Sequence, residues 1–195
     1  MRVLGPSSEA EMVWVFLRGE LESERFGPGI RRAIDERLLR EPDLEDAREN
    51  DLRRAALTRL RGYDRREGLF HGFPDDVRWE RAALTRDELL TVEYIEYDYW
   101  VELSGGTRRP GDAADLIRAG VTIFGVPNDG FLELADELAT KTLSELIVVG
   151  GAGDRLVVLE GHARLTAYAL RPEALPTELE VLLGRSPRIA SWSCW

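Results

Sequence analysis

The residues with the most chemical content sit together in Leu159-Glu160-Gly161-His162-Ala163-Arg164. The apolar run Leu156-Val157-Val158-Leu159 leads into them and residues 161–170 read as a helix, so a strand is expected to pass straight into a helix. A helix start carries backbone N–H groups without intrahelical partners, and it attracts anions. Gly161 permits close approach to that backbone, and Arg164 can reach back as a bidentate phosphate ligand. His162 is one of two histidines in the chain. The same spacing admits a structural arrangement in which Glu160 pairs with Arg164 and His162 caps the helix.

Two unequal parts are expected to position this junction. Residues 1–65 read as helical. Ser8-Glu9-Ala10-Glu11 has the form of a capping box, and Phe26-Gly27-Pro28-Gly29 interrupts the chain. A further helix opens at Pro42-Asp43, carries Leu44, Ala47, Ala55, Leu57 and Leu60 on its apolar face, and ends at Arg61-Gly62-Tyr63. Its alternating charges suit a solvated face. Residues 67–76 read as a packed linker holding His71. Residues 66–195 read as an α/β (α+β) unit with a small mixed sheet. In it, 77–83 is a strand, Thr85 starts a helix, 110–119 is a helix ended by Gly120, and Asn128-Asp129 opens another. Leu146–Val149 and Leu156–Leu159 form two strands joined by a glycine-rich turn near the centre of the sheet, and 179–183 is the last strand. Lys141, the one lysine, lies where a helix C-terminus favours a cation.

The chain has 195 residues, 44% of them hydrophobic and 32% charged, which supports a packed core and argues against disorder. Its formal charge of −10 weighs against nonspecific binding of duplex DNA, where phosphate contacts supply most of the affinity. Cys194 stands alone, and no Cys/His cluster offers a structural zinc site. No apolar leader or membrane-length run is present, so a cytoplasmic protein is expected. The tryptophans of Ser191-Trp192-Ser193-Cys194-Trp195 are expected to fold onto the domain, with a homodimer or partner contact as the alternative.

The strand–turn–strand–helix segment 146–170, ending in EGHARLTAYAL, resembles the core of the ParB/sulfiredoxin superfamily. Partition-type members carry Gly-Glu-Arg-Arg at the phosphate corner, sulfiredoxins Gly-Cys-His-Arg, and the free serine kinases Asp-Gly-His-His-Arg. Glu160-Gly161-His162-Ala163-Arg164 is most similar to the kinase version, with Glu for Asp and Ala for the second His. The resemblance covers about residues 128–184, with 77–83 as a first strand. It implies phosphate binding through Gly161, His162 and Arg164, with ATP or ADP as nucleotide. His162 stands where sulfiredoxins need cysteine, so sulfinic acid reduction is not expected. About a dozen residues follow Leu183, where partition proteins have a long helix-turn-helix segment, so chromosome partition is not expected.

Two function classes follow. One is a kinase or phosphotransferase acting on a small hydroxylated metabolite. It would need a general base and commonly uses Mg²⁺ to bridge phosphates. Glu96, Asp98 and Glu102, set among the aromatics of 94–103, are candidates for the base; Glu160 would help place metal or substrate. The adjoining Ser104-Gly105-Gly106-Thr107-Arg108-Arg109 offers a second anion loop through Thr107 and Arg108. The metal ligands are unknown at this stage. The other class is a non-catalytic, nucleotide-sensing or DNA-associated adaptor, or a nuclease relative, on the same fold.

Overall fold

A computed structural model describes residues 1–21, 23–138, 143 and 145–195, which leaves Lys141 outside the described residues. The protein is a mixed α/β structure in which one five-stranded sheet lies between two helical layers. The strands are β1 (Arg2–Pro6), β2 (Arg78–Thr85), β3 (Leu146–Gly150), β4 (Leu156–Glu160) and β5 (Glu178–Arg185), in the spatial order β1-β2-β5-β3-β4. Among the described strands only the β3–β5 pair is parallel.

The helices of the first layer are α1 (Glu9–Leu21), α2 (Gly27–Ala33), α3 (Arg37–Arg40) and α4 (Ala47–Arg61). Ser8 accepts from the backbone of Glu11 at 3.1 Å and starts α1. Asp46, rather than Pro42-Asp43, caps α4, and Gly62 closes it in the left-handed conformation. On α4 the buried residues are Arg53, Ala56 and Leu57, whereas Ala47 and Ala55 face water. Arg53 departs from the expected solvated charge pattern. It is fully buried and donates to the carbonyls of Leu38 and Asp43 and to Asn50 Oδ1.

Helices α1 to α4 are the only regular elements among the described residues of 8–62, joined by turns, but the chain enters them through a strand. β1 pairs antiparallel with β2, so an all-helical 1–65 region is corrected at its first residues. The short sequence RVLGP, with a glycine and a proline, gives little alternation by which to recognise a strand.

The second layer contains α5 (Arg86–Thr91), α6 (Asp98–Leu103), α7 (Pro110–Arg118), α8 (Asp129–Glu137) and α9 (His162–Leu170). Thr85 and Glu88 make a reciprocal capping box at α5. Strand β3 is buried along its whole length, as a strand covered on both faces must be. Ile147 and Val149 meet the N-terminal helices, and Leu146 and Val148 meet the second layer. β4 lies at the edge of the sheet and not at its centre; a single bridge from Glu93 to Val157 covers its outer side.

Met12, Phe16 and Leu17 of α1 pack into the same cluster as Ile147, Leu159 and Leu182, so the helical layer and sheet share one continuous core. The 67–76 linker joins this core through Phe70 and Phe73, and Trp192 stacks edge-on against Phe73 at 5.5 Å. His71 is exposed in that linker, although its carbonyl accepts from Ser193. Among the described residues no helix is long and apolar enough to cross a membrane.

Candidate functional site

The strand-to-helix junction forms as its sequence suggests, but a β-bulge redirects its carboxylate. Val148 pairs with Val158 while Ile147 pairs with Glu160, so β4 carries one extra residue at this point. Opposed residues of an antiparallel pair share a face. Ile147 faces the N-terminal helices, and Glu160 therefore turns toward them as well. Gly161 follows with φ +102°, and a Cβ there would lie 2.4 Å from Leu146 Cδ2. Glycine is required on both counts.

The result is a buried charge cluster between α1 and α9. Arg164 Nη2 donates to Glu160 Oε1 at 2.9 Å, and both residues are at most 9% exposed. Gly19 of α1 lies directly against this pair: a Cβ there would stand 3.0 Å from Arg164 Nη2 and 3.1 Å from Glu160 Oε1. The next residue, Glu20, is 4% exposed and pairs with Arg61 of α4 at 2.9 Å. Burial, reinforced by the Glu160 carboxylate, pushes Glu20 up to about 8 against the pull of Arg61 and Arg164. Burial also raises Glu160, opposed by Arg164 and Arg61. Arg18 and Arg81 both bind Glu145 just before β3, which fixes α1 against the sheet.

His162 belongs to a different environment. Its ring stacks on Trp100 at 5.0 Å and lies nearly parallel to Tyr94 at 6.4 Å. Burial, then the nearby Arg61 and Arg164 charges, push the imidazole down to about 3, so it is neutral in this stack. The N-cap of α9 is Gly161, with no side-chain cap, which corrects the expectation that His162 caps the helix. Thr166 Oγ1 donates to the His162 carbonyl at 2.9 Å, so the 2.7 Å contact with Tyr94 Oη uses the tyrosine proton. α6 is thereby fastened over the start of α9. Ala163 remains exposed on that first turn.

Segment 94–103 takes the surface arrangement that its alternation of aromatics and acids also admits. Glu96, Asp98 and Glu102 are all exposed, with the Glu96 side chain 65% accessible and facing Arg108 at 3.8 Å. None of them forms an ion pair or hydrogen bond with Gly161, His162 or Arg164 among the described residues. The aromatic residues turn inward to hold α6, and the acids are left on its wet side.

The second anion loop is corrected too. Arg108 points inward, donating to the carbonyls of Tyr94, Cys194 and Trp195. It clamps the end of the chain to the α6 segment. Thr107 bonds Ser104 O in its own turn and Asp112 Oδ2 in the first turn of α7. Among the described residues, no three His, Cys, Asp or Glu side chains group so as to hold a metal ion.

Comparison with known proteins adds no relative: no family model, curated protein or solved structure gives a significant match. Gly19, Glu20 and Arg61 were not singled out for the site by sequence reasoning. For Gly19 and Glu20 the sequence signal was a glycine and an acid in the last turn of α1, after its apolar run 12–17, where neither suits a helix packed on a core.

Proposed function

We propose that the chain is a nucleotide-binding adaptor, resembling the ParB/sulfiredoxin superfamily, that holds a phosphate at the start of α9 without transferring it. One observation carries this reading: a nine-residue helix begins at a left-handed glycine, leaves Ala163 exposed beside the stacked His162, and has the guanidiniums of Arg61 and Arg164 behind it. Unpaired N–H groups and nearby positive charge favour an oxyanion at such a point. Arg164 contributes to that field from within the protein, since its side chain is engaged with Glu160.

The adaptor is favoured over the phosphotransferase by the position of the acids. A general base must reach the acceptor hydroxyl directly or through one water. Glu96, Asp98 and Glu102 face solvent, and Glu160 faces α1. Calorimetry with ATP, ADP, CTP and GTP, each with and without Mg²⁺, tests the proposal on the wild type and Ala163→Glu. At least one nucleotide should bind, and its affinity should fall about tenfold or more in the variant, where a carboxylate meets the phosphate. The variant should fold at least as well, because an acid in the first helical turn is worth about 0.3–1 kcal/mol. Equal affinity in the two proteins, or no binding of any of the four, overturns the reading.

A further inference from the structure

A separate basic pocket lies in the N-terminal helical layer, where α4 ends. It has a volume of about 300 Å³ and is lined by Arg59, Arg61 and Arg65, with Leu60 and Leu69 as apolar wall and Glu67 as its one carboxylate. Arg59 and Arg65 are exposed, and neither forms a salt bridge with Glu67 or any other acid among the described residues. Arg61 binds Glu20 through Nη2, yet its buried Nε has no hydrogen-bond partner. The pocket therefore concentrates positive charge on a chain whose formal charge is −10. Its walls are fixed in place. Gly62 ends α4 at φ +81° with the Glu67 carbonyl against it, and Glu67 N–H returns to the Gly62 carbonyl at 3.1 Å.

We propose that this pocket binds a phosphate group. Guanidinium forks match the oxygens of a tetrahedral dianion, and unpaired ones need not first surrender a carboxylate. Leu60 and Leu69 give the pocket a place for the organic part of a phosphomonoester, while free phosphate would use the arginines alone. The site does not depend on nucleotide binding at α9, although Arg61 takes part in both surroundings.

NMR titration of the wild type with inorganic phosphate and with phenyl phosphate, at constant ionic strength, tests the proposal. Saturable shifts of the Gly62 and Gly68 amides are expected with both probes. Tighter binding of phenyl phosphate assigns the site to an organic phosphomonoester, and equal binding to free phosphate; either result supports it. The Arg59→Ala/Arg65→Ala double variant, which alters exposed side chains only, should bind about tenfold more weakly or less. Ala163→Glu should bind the probes at this pocket as the wild type does, which separates failure here from failure at α9. Absence of saturable shifts at these glycines, or undiminished affinity in the double variant, overturns the proposal.

Discussion

Replacing Glu20 by glutamine should change how stability depends on pH, by an amount the buried cluster sets. The folded protein holds the Glu20 proton up to about pH 8, whereas an ordinary glutamate releases it near 4.5. An acid with a raised folded pKa costs nothing at low pH. Its penalty grows as pH rises through that interval and is complete above it. The interval is about 3.5 pH units, and at about 1.4 kcal/mol per unit the penalty is about 5 kcal/mol. His162 acts with the opposite sign. Its folded pKa is depressed from 6.5 to about 3, so its contribution is intact above 6.5 and is lost as pH falls. The two slopes oppose each other between about 4.5 and 6.5, and the raised Glu160 carboxyl adds to the slope of Glu20. Glutamine keeps the shape of Glu20 and an acceptor for Arg61 but cannot ionise. Urea unfolding of both proteins across pH 4.5–8.5 measures the difference, in which titrations remote from the Glu20–Glu160 pair cancel. The variant should gain about 4–5 kcal/mol relative to wild type from the acid to the alkaline end. Parallel curves would refute the buried-carboxylate reasoning.

Arg164→Ala should destabilise the fold by about 3–5 kcal/mol in urea unfolding, because Glu160 would remain buried without its partner. This reverses the expectation for an exposed ligand arginine, whose removal harms binding and spares stability. Gly161→Ala should cost about 2–4 kcal/mol by the same assay, from the left-handed backbone and the clash with Leu146. Asp98→Asn and Glu102→Gln should leave unfolding free energies within about 0.5 kcal/mol of wild type and nucleotide affinity unchanged by calorimetry, since both side chains face water.

The local grammar of the second part was readable. The apolar runs around Gly150–Gly153 gave β3 and β4, Thr85 announced α5, and the Glu160–Arg164 spacing anticipated their ion pair. The orientation of the corner was not. A one-residue bulge decides which face Glu160 takes, and no periodicity records it. Its partners Gly19, Glu20 and Arg61 come from helices about a hundred residues or more away in sequence. His162 looked like a ligand because histidines are scarce here. Its stacking on Trp100 and Tyr94 is a contact between two segments about sixty residues apart that share no local pattern. The same distance effect hid Arg108, whose acceptors lie more than eighty residues downstream at Cys194 and Trp195.

The most direct test of phosphate binding at the α9 start follows the backbone amides of Gly161, His162 and Ala163 by ¹⁵N NMR while a nucleotide that binds by calorimetry is added. These amides should show the largest saturable shifts, with the same dissociation constant as the heat signal, and the shifts should weaken in Ala163→Glu. Saturable nucleotide binding that leaves those three amides unmoved would contradict the account.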